Sequence, residues 1–183
     1  MRASHRLAGV LVSLPLAAAC WQSSERRTAN LIDDLRSPDA AAADRAVRQL
    51  VEMGEPAVPA LIEALKDPEA RVRNAAASAL WGLGPKARSA VPTLAAALAD
   101  SDDGVRLGAV MALESVGRDA AAAVPALSRA VRDRDGNVRL WAAKALAKIG
   151  PPARSALPAL SEAARYDSTR AAAEDAIRAI KAP

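Results

Sequence analysis

The sequence predicts an all-α protein, an α-solenoid (superhelix) of five two-helix repeats, on three observations. Phe is absent, Tyr occurs once and Trp three times, so the interior is closed with Ala, Leu, Val and Ile, which favours closely approaching helices over a sheet. Pro59, Pro92, Pro125 and Pro158 recur every 33 residues, and Gly84, Gly117 and Gly150 keep the same interval; a fixed period of this length marks a repeat array. Between each Pro and its Gly lie two apolar-periodic stretches split by a polar turn. At 183 residues the chain suits one domain, with no sign of a second core.

The first element is a targeting segment. Residues 1–19 hold a positive start (Arg2, His5, Arg6), an apolar stretch from Leu7 to Leu16 and a run of small residues, the architecture of a secretory signal peptide and too short for a convincing membrane span. Leu16-Ala17-Ala18-Ala19-Cys20 resembles the lipobox of bacterial lipoproteins, which implies acylation of Cys20 and cleavage on its N-terminal side. The family prefers Leu three residues before the Cys, where this chain has Ala17. The alternative is a plain signal peptide cut near Ala19, with Cys20 incidental. Because each buried methylene contributes roughly 0.8 kcal/mol and one chain holds only marginally, the several acyl chains implied by the resemblance anchor stably. Residues 20–28 are then the lipidated Cys and a short tether, and residues 29–183 the repeat domain. The expected location is the cell envelope, exported and lipid-anchored on the periplasmic or extracytoplasmic face.

The repeats follow at about 29–54, 58–84, 91–117, 124–150 and 157–183. In each full unit the Pro opens helix A, where its missing N–H costs nothing. A turn follows, Asp67-Pro68-Glu69 in one unit, Asp100 to Gly104 and Asp133 to Asn137 in the next two. Helix B then runs to the Gly, which supplies a left-handed conformation after the helix end. Val72, Ala76, Ala79, Leu80 and Leu83 recur at helical spacing, so one stripe is apolar and is buried by stacking on neighbours. The first unit fits with a shift of 30 and reads as an N-terminal cap. The last fits if its turn Tyr166-Asp167-Ser168 loses two residues, placing Thr169, Ile177 and Ile180 where Val72, Leu80 and Leu83 stand; it reads as a C-terminal cap.

Val-Arg-x-x-Ala-Ala-x-Ala-Leu-x-x-x-Gly after an Asp-containing turn, as in Val72 to Gly84, resembles the HEAT-like repeat of the phycobilisome-lyase type over nearly the whole mature chain. An ankyrin reading lacks the Thr-Pro-Leu-His opening, and a tetratricopeptide reading lacks its Trp, Tyr and Pro pattern.

For function, Arg73, Arg106, Arg139 and Arg170 hold one place in four units, with Asp67, Asp100 and Asp133 recurring beside them. They read as an inter-repeat ion-pair ladder and not as a phosphate site, a view the resemblance shares. The resemblance also implies that the B helices line the concave side. There the stripe Asn74, Ser78, Trp81 becomes Leu107, Met111, Glu114 and then Leu140, Lys144, Ala147. Large apolar groups flanked by charge suit a partner-binding patch, so Trp81, Leu107, Met111, Glu114, Leu140 and Lys144 are the candidate site; the competing reading has Leu107 and Leu140 leaning into the core. Trp141 reads as inter-repeat packing, with Gly108 leaving room for its ring.

No catalytic constellation is found, since the one His precedes Cys20 and Glu114, Glu174 and Asp175 are not arranged as a site. No metal, cofactor or small-molecule substrate is expected. Without Arg2 and Arg6 the chain has 23 Lys and Arg against 21 Asp and Glu, a net charge of +2, which argues against nucleic acid. The reading is a non-catalytic protein-interaction scaffold held to the membrane by its lipid. An enzyme or enzyme subunit of the bilin-lyase or DNA-glycosylase kind, and a structural envelope component, stand as alternatives.

Overall fold

The computed structural model describes residues 16–166 and 168–182, with side chains from Glu25 onward. Among these residues ten α-helices form five antiparallel pairs: α1 (Leu16–Asp34) with α2 (Ala40–Met53), α3 (Val58–Ala64) with α4 (Ala70–Leu83), α5 (Val91–Ala97) with α6 (Asp103–Val116), α7 (Val124–Ala130) with α8 (Gly136–Ile149), and α9 (Leu157–Ala163) with α10 (Arg170–Lys181). No strand occurs among the described residues.

Local chemistry sets the boundaries. Pro59, Pro92, Pro125 and Pro158 each lie in the first turn of an A helix, where no intrahelical N–H is needed. Asp39, Asp102 and Asp135 cap α2, α6 and α8 by accepting backbone N–H bonds. Gly54, Gly84, Gly117 and Gly150 end the first four B helices, and they are the residues with positive φ among those described. Their conformation differs from the left-handed helical one expected: Gly117 has φ 73° and ψ −133°, a region essentially reserved for glycine. After each Gly the chain enters a 3₁₀ connector, at Glu55–Ala57, Gly84–Ala90, Gly117–Ala123 and Pro151–Ala156. Apolar periodicity gives no sign of these short turns.

The core is one continuous cluster running from Leu31 to Ile180. Each full repeat buries an A-helix Leu (Leu61, Leu94, Leu127) and a B-helix set such as Val72, Ala76 and Leu80, or Val105, Ala109 and Leu113. The last repeat substitutes Thr169, whose buried hydroxyl donates to the Ala163 carbonyl at 2.8 Å, and Ile177 there is only partly buried. B helices pack broadly on the B helices at either side, whereas A helices meet neighbouring A helices only lightly. The array therefore curves with its B helices on the inside.

At the N-terminus α1 does not start at Ala29. It begins at Leu16 and passes through the segment read as a tether. Cys20 lies on this helix, its side chain outside the described residues, as are residues 1–15 of the expected signal peptide.

Candidate functional site

Antiparallel pairing gives the array two long edges. One carries the turns from A to B; the other carries the 3₁₀ connectors from B to the next A.

The turn edge is built by one recurring device. Asp67, Asp100 and Asp133 each bend their own turn, accepting the backbone N–H two residues on at 2.9, 2.9 and 2.8 Å. They also reach across to the preceding repeat. Arg73 Nε and Nη2 donate to the two Asp100 oxygens at 2.7 and 2.8 Å, and Arg106 does the same to Asp133 at 2.9 and 3.1 Å. The Nη1 of each arginine holds the carbonyls of its own turn, Asp67 and Pro68 for Arg73, Asp100 and Ser101 for Arg106, Asp133 and Arg134 for Arg139. Arg170 Nε donates to the Ala164 carbonyl at 3.3 Å.

The first rung comes from a residue that repeat alignment could not find. Arg36, in the turn after α1, donates to Asp67 Oδ2 through Nε at 3.2 Å and Nη2 at 2.6 Å, whereas the place equivalent to Arg73 holds Ala43. These pairs move ionisation as charge pairing requires. The Glu69 backbone N–H, then Arg36, hold the Asp67 carboxyl below the usual carboxylate range. Arg73 does so for Asp100, and Arg134 with Arg106 for Asp103. The Asp133 pair in turn raises Arg106 above its ordinary value. Carboxylates occupy Arg36, Arg73 and Arg106, bidentately for the last two, so these rungs stabilise the stack and offer no anion site. The ladder expected at Arg139 and Arg170 stops short, because the place one period after Asp133 holds Tyr166 and both arginines donate to backbone carbonyls.

The concave stripe is mixed. Trp81 is 46% exposed and, with Tyr166, is one of two large hydrophobic side chains standing open among the described residues. Met111, on the B helix of the next repeat, is half-buried. Leu107 and Leu140 are half-buried too, but they pack against the core, so the apolar area offered to solvent centres on Trp81. The charged members are already engaged: Glu114 pairs with Lys148 of the next repeat at 3.1 Å, and Lys144 Nζ stands 4.3 Å from the Trp141 ring centroid, a cation–π contact worth ~0.5–1 kcal/mol when exposed.

Trp141 is half-buried against the core, but Gly108 does not make room for it. A Cβ at Gly108 would lie 2.9 Å from Ala77 Cβ and 3.3 Å from Asn74 Oδ1 on the preceding repeat. This glycine lets α6 approach α4. Among the described residues no group of three or more His, Cys, Asp or Glu is placed to hold a metal, and no helix is long and apolar enough to cross a membrane.

At the connector edge Lys86 and Arg88, Arg118, and Arg154 stand exposed on successive connectors. The period does not announce them, because Arg88 and Arg154 share a place that Ala121 holds in the unit between, while Lys86 and Arg118 stand at other places, and only the stacking puts the four in one row.

The family pattern described as HEAT repeats matches residues 28–114 and, in an overlapping second match, 91–181. No curated protein matches the sequence significantly. Among solved structures the chain is similar to the complex of CpcE and CpcF of phycocyanin lyase from Nostoc sp. PCC7120, with 22% identity, 85% of this chain and 98% of that chain covered, and a TM-score of 0.66. A designed armadillo repeat protein in complex with the peptide (KR)4 aligns over 92% of this chain and 96% of its own, at 16% identity and a TM-score of 0.66. An engineered protein aligns over 92% and 85% at 24% identity and a TM-score of 0.59.

Proposed function

The chain belongs to the HEAT repeat family, and from that premise we propose that it is a non-catalytic scaffold, anchored to the membrane by acylated Cys20, that binds a protein partner on its concave face. The observation that carries the reading is the 46% exposure of Trp81 on that face, with the half-buried Met111, Leu107 and Leu140 on the B helices of the next two repeats. Tryptophan and methionine are enriched where proteins meet, and a few such anchors supply most of the affinity. Burial gains roughly 25 cal/mol per Å² before association entropy is subtracted. The likeness to a designed repeat protein holding a peptide and to the CpcE–CpcF complex supports a protein partner.

The anchor reading is supported by the lipobox-like run ending at Cys20, and it implies export to the cell envelope. Mass spectrometry of the protein from membranes should find a chain beginning at acylated Cys20; an unmodified N-terminus there, or one at Met1, removes the anchor. The concave site is tested by mild cross-linking of membranes from cells carrying the parent or the Trp81→Ser/Met111→Ser variant. The variant should keep its helical content and melting while losing the cross-linked partner. Unfolding of the variant would make these residues core, and undiminished capture would place the site on another surface.

A second reading, a subunit of a bilin lyase, draws on the likeness to CpcE and CpcF. An assay of bilin attachment to an added biliprotein separates the two.

A further inference from the structure

In a stack of antiparallel pairs, the N-termini of the A helices share an edge with the C-termini of the B helices. α1 is the A helix of the first repeat, and its residues 16–28 run past the place, Ala29, equivalent to Pro59. They leave the array at the connector edge. Thr28 Oγ1 donates to the sulfur of Met53, the last residue of α2, at 3.9 Å, and Arg27 reaches Gln49 at 3.4 Å. A hollow of about 700 Å³ beside this stretch is lined by Glu25, Thr28 and Ala29 on one side and Glu55, Pro56, Pro59 and Ala60 on the other. At ~1.5 Å per helical residue, Cys20 stands ~14 Å beyond Ala29 on that same edge.

The edge is positive from the second repeat onward. Lys86, Arg88, Arg118 and Arg154 are exposed and make no ion pair or side-chain hydrogen bond among the described residues. Lys86 lies over Gly54, where a Cβ would stand 3.7 Å from its Nζ, and Lys148 lies beside Gly117. Against them this edge sets Glu55, Asp119 and Glu114, the last already bound to Lys148. With repeats spaced ~10 Å apart, the three connectors carry these cations in a row ~20 Å long.

Direction decides what the row meets. An acyl chain at Cys20 and the unpaired cations leave the molecule the same way, so the membrane that holds the lipid is the surface these cations face. A groove-bound acidic peptide would instead draw on cations of the concave stripe, where Lys144 is engaged with Trp141. The geometry points to the connector edge as a second membrane contact: Lys86, Arg88, Arg118 and Arg154 engage anionic lipid headgroups beside the protein's own anchor and hold the array edge-on, with the concave face open sideways to its partner. This rests on the anchor reading at Cys20. Juxtamembrane cations are attracted to an anionic leaflet within about one Debye length of it, ~8 Å at physiological salt.

The acylated protein is reconstituted in phosphatidylglycerol or in phosphatidylcholine vesicles and treated with an amine-acylating reagent, and each lysine is read by mass spectrometry. Labelling of Lys86 should be roughly threefold lower on phosphatidylglycerol at low salt and recover at ~1 M salt, where the Debye length is ~3 Å. Lys66, on the turn edge, should label alike on both. An Arg88→Glu/Arg118→Glu/Arg154→Glu variant that melts like the parent should stay on the vesicles and lose the protection. Equal labelling of Lys86 on the two lipids overturns the proposal, as does protection by an added oligo-glutamate peptide with none from phosphatidylglycerol, which would assign the edge to an acidic chain. Failure to associate with either vesicle removes the anchor reading, and this proposal falls with it.

Discussion

Both edges of the array carry cations, and they use them in opposite ways. On the turn edge, Arg36, Arg73 and Arg106 each bind an aspartate of the next repeat, and Arg71 and Arg134 reach carbonyls of the preceding turn. On the connector edge Lys86, Arg88, Arg118 and Arg154 are left to solvent. The difference lies in the acids. Three turns supply an Asp whose carboxylate the backbone has already oriented, whereas the connectors hold only Glu55 and Asp119, neither of which pairs with these cations. Charge balance in the whole chain therefore conceals a structural edge and an unspent one.

The largest effect expected from breaking this contrast is at Arg106. It is 4% exposed and bridges Asp133, Asp103 and two turn carbonyls. Arg106→Met strands a mostly buried carboxylate and should cost ~3 kcal/mol, read as a lower urea midpoint. Next comes the connector edge at its stiffest point. Gly117→Val forces a β-branched residue to φ 73° and should cost ~2 kcal/mol in the same assay; a parent-like midpoint would mean that this helix end relaxes freely.

Acid sharpens the comparison further. Because Asp67, Asp100 and Asp103 are held below the usual carboxylate range, the unfolded chain takes up protons before the folded one does. Their stabilisation is full above the unfolded value of ~3.9 and drains away as pH falls through the lower folded values. Melting temperature should hold from pH 7 to ~5 and drop steeply below ~4, and the Arg106→Met variant should show a shallower drop. The smallest effect belongs to the free cations: Arg118→Glu should change stability by no more than ~0.5 kcal/mol and leave the acid profile as it is. A large loss there would show that the connector edge has structural charges after all.

Much of this was legible in residue order. Pro at the start of helix A, Gly at the end of helix B and Asp in the turn between them act within a few residues of themselves, so their period announces the repeat and its helices. The same period marks Arg73, Arg106 and Asp133 as one recurring feature. It misses Arg36, which fills the first rung from a different element, and it misreads Gly108, whose neighbours Ala77 and Asn74 belong to another repeat. For the concave stripe, helical spacing selects Trp81, Leu107, Met111 and Leu140 as one face. It cannot say that Leu107 and Leu140 tilt into the seam between repeats while Trp81 stays open.

The sequence by itself determined the helices, their caps and their repeat, because each depends on backbone preferences and apolar spacing within one or two turns. Only the tertiary structure decided which charges meet. Arg73 and Asp100 are 27 residues apart in sequence and 2.7 Å apart in the stack, and a Coulomb interaction depends on that second separation. The stacking of one pair on the next brings the turn-edge charges into contact, and it lines up Lys86, Arg88, Arg118 and Arg154 without an ion pair among the described residues.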